Sequence, residues 1–413
     1  MRDRPVRVLL AENTIRGLGG SYESLFITAT SADRSRFEPI ALFFQPNHFI
    51  DRLLAQGIRV IQGRSLHFWE RPAYIEKSAT LRSNLPRRGI LGSARRSLVA
   101  LLRAVFGGLP MAWTVRSILR RERIDILHCN NNLQRDAMMV LGARLAGVPV
   151  VAHERQLARC SLFARWMSRK VAVLICISDA VLEFARTSGC HARDRRRIYN
   201  AIDLTACRGV YPSLPAGPRR VGIVGRILPR KGQRHFIDAA ARIRSKFPDV
   251  EFYIIGAATG DALIYASELK ALAERLGIAS AIRWTGYVEQ PLPLVASLDV
   301  VVHAAIEPEP FGRVVLEAMA LGRPVIATAL GGPVEIIQDG ISGFLVPPED
   351  AEAIAQRVCR LFDDPGLGSR IRAGALRRAE EFSVEAYARQ IGIVYDDALI
   401  ASGKDPSFSK AAS

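Results

Sequence analysis

The chain has 413 residues, of which 49% are apolar and 23% charged, and its formal net charge is +17. That length suits two or three domains, and the ordinary composition excludes a disordered chain, a polytopic membrane protein and a small disulfide-stapled module. The six cysteines (Cys129, Cys160, Cys176, Cys190, Cys207 and Cys359) form no CxxC pair and have no neighbouring His cluster. They read as free thiols in a reducing, cytoplasmic setting, with no structural zinc.

The charge is unevenly spread. Residues 1–205 carry 33 Lys and Arg against 16 Asp and Glu, whereas residues 206–413 carry 24 against 24. A basic first half points to an anionic partner, either nucleic acid or an anionic membrane surface. That 50 of the 57 basic residues are Arg explains the choice of Arg over Lys, but not the imbalance.

The start, MRDRPVRVLLAE, puts Val6, Val8, Leu9 and Leu10 after a short basic stretch with no h-region or cleavage site behind it, so it reads as a buried strand. Further short β-branched runs fall at Pro39–Phe44, Ile58–Ile61, Ile124–Cys129, Pro149–His153, Val171–Ile177 and Arg197–Asn200, mostly separated by helical stretches. That alternation predicts a parallel sheet covered on both faces. After Asp203 a Pro-rich segment reads as an exposed linker, and a second series follows at Val221–Val224, Val250–Ile255, Ile282–Trp284, Val300–Ala304, Pro324–Ala327 and Phe344–Val346. Helices are expected over Gly232–Phe247, Ala262–Leu276 and about Gly312–Leu321.

The chain therefore reads as α/β, with two tandem Rossmann-like doubly wound domains facing across a cleft. Residues 1–205 form the first domain, 206–218 the linker and 219–385 the second domain. Residues 386–402 form a terminal helix packing back toward the first domain, and 403–413 a disordered tail.

Residues 82–123 break the rhythm with ten Arg and one acidic residue, Glu122. Gly107, Gly108 and Pro110 interrupt the apolar run, which is too short to span a bilayer. An amphipathic hairpin in the interface fits better, inserting Leu98, Leu101, Leu102, Val105, Phe106 and Trp113. Arg95, Arg96, Arg116, Arg120 and Arg121 would then meet lipid phosphates. An ordinary core helix with solvated flanks is the other reading.

The stretch Glu307–Gly332, EPEPFGRVVLEAMALGRPVIATALGG, carries the most chemistry. Glu309 falls in a loop before a helix and Glu317 within that helix, where a carboxylate can accept two hydrogen bonds from a vicinal diol. The N–H groups near Phe311, Gly312 and Arg313 offer donors to anionic ligand groups. In this context the sequence resembles the retaining nucleotide-sugar glycosyltransferases of family 4, which have the GT-B fold, and the resemblance covers nearly the whole chain. It implies that the first glutamate, Glu309, faces the donor sugar and the second, Glu317, holds the ribose hydroxyls.

The resemblance also covers VGIVGRILPRKG (Val221–Gly232), where Arg226 and Lys231 match the family's phosphate-neutralising pair and Arg230 is a solvated neighbour. Fixed cations there would neutralise a departing diphosphate without a metal. In the first domain, GLGGS puts Gly19 and Gly20 where the family has a Gly-rich loop beside the donor phosphates. His153 ends the strand PVVAH where the family's His contacts the transferred sugar, and Glu154 stands where many relatives have Thr or Asp. His128 is expected to be structural. CISDAV and IYNAID resemble the family's S-x-x-V and P-N-G-V-D words, with Tyr199 in place of the Pro and Ala201 in place of the Gly. In Ala329–Asp350, Gly331 and Gly332 lead into a helix and Glu335 is expected to be structural or peripheral.

The function these features imply is retaining glycosyl transfer from a nucleotide-sugar donor to a lipid-linked or polysaccharide acceptor. Arg226, Lys231, Glu309 and His153 would be catalytic, and Gly19, Gly20, Phe311, Gly312, Arg313 and Glu317 would bind the donor. No metal or cofactor is expected, and an anionic membrane surface is the expected partner. A sugar-nucleotide epimerase or a phosphorylase would share the fold, but no Lys after the linker has a recognisable pyridoxal setting. Nucleic acid is disfavoured as a partner, because the basic region lacks interleaved stacking aromatics.

Overall fold

The computed structural model describes residues 4–13, 20–63 and 108–403. The chain divides into two compact units. The first comprises Met1–Ile177, Leu182–Ile198 and Ala388–Ser413, and the second comprises Ser178–Val181 and Tyr199–Tyr387.

The first unit is built on seven parallel strands: β1 (Val6–Glu12), β2 (Phe37–Phe43), β3 (Arg59–Gln62), β4 (Ile126–Cys129), β5 (Val150–Glu154), β6 (Val173–Cys176) and β7 (Asp194–Arg197). Their order is β3-β2-β1-β4-β5-β6-β7. The inner strands β4, β5 and β6 are buried at every position, which is why their sequences run apolar instead of alternating. Residues of β1 pair with β2 on one side and β4 on the other, so the winding reverses between β1 and β4.

The second unit repeats the scheme with β8 (Arg220–Val224), β9 (Glu251–Ile255), β10 (Ile282–Gly286), β11 (Val300–His303), β12 (Val325–Thr328) and β13 (Phe344–Val346), in the order β10-β9-β8-β11-β12-β13. Here the reversal lies between β8 and β11. In open parallel sheets the two connections diverge at such a point and leave a crevice beyond the carboxyl ends of the strands. The core of this unit includes Phe236 packed edge-on against Phe252, with Ile223, Val302 and Ile326.

The helices end where local chemistry ends them. Asn132 accepts a hydrogen bond from the Arg135 N–H to start the helix Leu133–Ala146, and Gly147, in the left-handed region, stops it. The helix Val384–Ala401 begins with the Ser383 hydroxyl accepting from the Ala386 N–H. From Ala388 onward it belongs to the first unit. There Asp396 accepts from the Arg36 guanidinium at 2.6 and 2.8 Å, and Asp397 pairs with Arg196 at 2.7 Å.

Two sequence expectations change. The last strand of the first sheet is Asp194–Arg197, not Arg197–Asn200. As an edge strand it is held by pairing with β6 and tolerates the polar sequence DRRR. The main segment of the second unit begins at Tyr199, so the end of the expected first domain and the expected linker 206–218 fall within it; the Ile202 N–H donates to Phe382 O and Ile202 bridges to Ser383.

Of residues 82–123, expected as an amphipathic segment, 82–107 lie outside the described residues, together with Leu98, Leu101, Leu102, Val105, Phe106, Arg95 and Arg96. The described part forms the helix Leu109–Arg121, which buries Met111, Ala112, Val115, Ile118 and Leu119. It presses on the helix Leu133–Ala146 so closely that a Cβ on Gly142 would lie 2.5 Å from Ala112 O. Arg116 and Arg120 donate to the Leu145 carbonyl at 3.4 Å, while Trp113 remains exposed under the Arg116 guanidinium. The helix Leu109–Arg121 is packed on one face and carries the exposed Trp113 on the other. Gly19 and the tail from residue 404 also lie outside the described residues. No described helix is long and apolar enough to cross a membrane.

Candidate functional site

In the second unit the predicted residues gather at the carboxyl ends of β8 and β11, the two strands flanking the winding reversal. β8 runs into Gly225 and Arg226, and a short 3-10 turn, Pro229–Lys231, then leads into the helix Gln233–Lys246. The Ile306 N–H donates to Arg230 O at 3.0 Å, tying this turn to the segment after β11. Lys231 Nζ donates to Glu309 Oε2 at 2.5 Å. Both side chains are more than four-fifths buried. Arg226 is exposed in the loop, and the Gln233 side-chain amide donates to its backbone carbonyl at 2.9 Å.

A third group joins the pair. His303, the last residue of β11, places Nε2 3.7 Å from Glu309 Oε2. Burial alone would raise the Glu309 pKa, but His303 and Lys231 outweigh it and hold the carboxyl well below the usual carboxylate range. Glu309 is thus an anion at neutral pH, paired with the Lys231 ammonium. His303 has a visible signal in the sequence that the motif reading missed: VVVHA ends a buried run with His just as PVVAH does for His153.

The loop that carries Glu309 is seated by the glycine pair after β12. Gly331 (φ +68°) bridges to Glu309, and a Cβ there would stand 2.3 Å from Glu309 O. The Gly332 N–H donates to Glu309 O at 2.8 Å, and a Cβ on Gly332 would meet Phe311 O at 2.1 Å. No side chain fits at either position. The pair leads into the short helix Pro333–Ile336, and it also lets one backbone lie directly against another.

Phe311, Gly312 and Arg313 open the helix Arg313–Ala320. Phe311 offers only its backbone to the site, since its ring is buried against Tyr199 and Phe382. Within the helix Arg313 approaches Glu317 at 3.4 Å, and both remain partly open. Glu335 is integral to the fold. Its carboxylate accepts the N–H groups of Asp179 (2.7 Å) and Ala180 (2.9 Å) at the start of the helix Asp179–Thr187. The Ser178 hydroxyl beside them donates to Pro310 O at 2.6 Å. Ser178 belongs to the S-x-x-V word, which thereby braces the glutamate loop.

In the first unit the carboxyl ends of β1, β4 and β5 enclose a buried polar cluster. Asn130 and Asn131 donate to the two oxygens of Glu12 at 2.7 and 2.8 Å, and the Arg155 guanidinium donates to Asn130 O and Oδ1. Glu154 accepts from the Leu133 N–H, and burial pushes its carboxyl well above the usual range. Gly20, exposed, opens the helix Gly20–Thr30 after β1.

His153 lies at the end of β5 and is fully buried. Its Nδ1 sits 2.7 Å from His128 Nε2, and His128 Nδ1 sits 2.7 Å from the Tyr395 hydroxyl. Burial, with the Arg155 charge nearby, pushes the His128 pKa down to about 3 and lowers that of His153 well below normal. Both rings are neutral near pH 7. His128 is therefore bonded directly to the predicted site residue.

The descriptions "Glycosyl transferases group 1" and "Glycosyltransferase Family 4" match residues 218–364 and 49–206. The lipopolysaccharide core biosynthesis mannosyltransferase LpsB of Rhizobium meliloti is 30% identical over 243 residues, 57% of this chain and 69% of that protein. A D-inositol 3-phosphate glycosyltransferase of Salinispora arenicola is 34% identical over 202 residues, 47% of this chain and 44% of that protein, so the match spans less than half of that relative. Among solved structures, Anabaena HepE in complex with UDP aligns with a TM-score of 0.72 over 94% of this chain and 98% of its own, at 23% identity, a likeness of fold. The chain belongs to the group 1 glycosyltransferases of family 4, and its two parallel-sheet domains are those of the GT-B fold. It is a glycosyltransferase.

Proposed function

We propose that this glycosyltransferase moves a sugar from a nucleoside diphosphate sugar, with retention of anomeric configuration, onto a lipid-linked or polysaccharide acceptor of the cell envelope. The observation that carries the reading is the Lys231–Glu309 pair at the winding reversal of the second sheet, with exposed Arg226 on the loop that leads to it. In this reading Arg226 and Lys231 neutralise the departing diphosphate, which a metal-free site must do with fixed cations. Glu309 faces the sugar and Glu317 accepts from the ribose hydroxyls. The N–H groups of Phe311, Gly312 and Arg313 meet the phosphates, as do the glycines Gly19 and Gly20 in the first unit.

The anomeric carbon–oxygen bond to the diphosphate breaks while the acceptor oxygen bonds on the same face. The acceptor's hydroxyl proton passes to an oxygen of the departing diphosphate. His153 contacts the transferred sugar, and the first unit takes the acceptor.

Hydrolysis of a panel of nucleotide sugars tests the donor, and UDP sugars are the natural first set given the UDP held by HepE. Arg226→Ala and Lys231→Ala should each lower turnover about a hundredfold, as loss of a major charge stabiliser does. Wild-type turnover in both variants would end the assignment.

The acceptor class implies work at the cytoplasmic face of a membrane. The basic first half supports this, as do the exposed Leu162 and Trp166 and the exposed Trp113 under the Arg116 guanidinium. Sedimentation with vesicles at low salt should show more binding to anionic than to neutral lipid. Equal binding would remove the membrane from the proposal.

A further inference from the structure

Tyr395, His128 and His153 form one buried chain within the first unit. The Tyr395 hydroxyl lies 2.7 Å from His128 Nδ1, and His128 Nε2 lies 2.7 Å from His153 Nδ1. The two imidazoles are stacked with centroids 4.9 Å apart, and neither is exposed to solvent. His153 Nε2, at the far end, is a buried nitrogen with no hydrogen-bond partner among the described residues. A buried polar atom of this kind costs free energy unless a ligand completes it.

The links in such a chain are not independent. A neutral imidazole carries one N–H and one lone pair, so the direction of the first hydrogen bond sets the other two. A phenol is a stronger acid than a neutral imidazole N–H, and an imidazole nitrogen is a stronger base than a phenol oxygen. The Tyr395 hydroxyl therefore donates to His128 Nδ1. The His128 proton then sits on Nε2 and is donated to His153 Nδ1, which leaves the His153 proton on Nε2.

We propose that Tyr395 and His128 are positioning residues that hold His153 as an Nε2–H donor toward an oxygen of the sugar substrate, so that His153 orients the sugar and does not accept a proton from it. This rests on the reading that His153 contacts the sugar. It makes the terminal helix, far along the chain from any motif, part of what sets the chemistry of the site.

The test uses the full chain labelled with 15N-histidine, with long-range nitrogen–proton correlations recorded at neutral pH. His128→Gln and His153→Gln identify the two rings. Both should show a protonated Nε2 and a bare Nδ1. A proton on His153 Nδ1, or a doubly protonated ring, overturns the proposal. Tyr395→Phe should let His128 populate both tautomers and lower kcat about tenfold, with the donor KM changed less than about twofold, the loss expected of one oriented hydrogen bond. An unchanged tautomer and unchanged kcat would also overturn it. The wild-type spectrum reads the tautomers without any substrate, so failure to turn over any nucleotide sugar would sink the glycosyl-transfer reading separately.

Discussion

Replacing Lys231 by Met keeps most of the stem, which passes about 4.0 Å from where a Cβ on Gly225 would sit, but deletes the charge 2.5 Å from Glu309. Breaking one side of a fully buried ion pair costs about 3–5 kcal/mol. Here both partners keep some solvent, 18% and 17% of their side-chain surface, and His303 still faces the same oxygen at 3.7 Å. The expected loss is therefore about 2–3 kcal/mol at neutral pH. Glu309→Gln on top of Lys231→Met should recover part of it, with a coupling of about 1–2 kcal/mol between the two sites.

The pH dependence has a definite sign. The folded Glu309 carboxyl has its pKa held down, so its contribution is fully present above the unfolded value near about 4.3 and is lost as pH falls through the depressed folded value. In Lys231→Met burial is opposed only by His303, so that contribution shrinks. The gap between wild type and variant should be full at pH 7 and narrow steadily below about pH 4. Urea unfolding of wild type, both single variants and the double variant, followed at Trp284, which packs on the core of the second unit, reads both quantities. Additive single effects together with a pH-independent gap would refute the claim that Lys231 and Glu309 act as one buried pair.

Gly331→Ala places a methyl about 2.3 Å from Glu309 O at φ +68°. It should cost more than about 1 kcal/mol and weaken donor binding, which calorimetric titration with the nucleoside diphosphate would read. Glu335→Ala removes the acceptor for two backbone N–H groups and should lower the thermal midpoint by the equivalent of about 1–2 kcal/mol, whereas loss of an idle surface carboxylate would leave it unchanged. Asp396→Asn breaks a partly buried contact with Arg36 and should destabilise the first unit by about 1 kcal/mol, measurable as faster amide exchange near Phe37.

Short apolar runs bounded by turns determined both parallel sheets. A strand buried on both faces must be continuously apolar, and that constraint is written locally in VVVH, VIAT and VLIC. The glutamate stretch from Glu307 to Gly332 was likewise legible, because helix start, helix stop and strand follow one another within a few residues. What sequence alone left open depends on segments distant in the chain. The pairing of Lys231 with Glu309 joins residues 78 apart, and the chain from Tyr395 to His128 joins residues 267 apart. For Glu335 the sequence left structural and peripheral roles open, because its partners, the N–H groups of Asp179 and Ala180, lie about 155 positions earlier. β7 escaped because an edge strand is held by backbone pairing and carries no apolar signature. Local propensity and periodicity report which face of an element is buried, whereas the partner of a buried charge or N–H group is chosen only when the sheets bring remote loops to the same end.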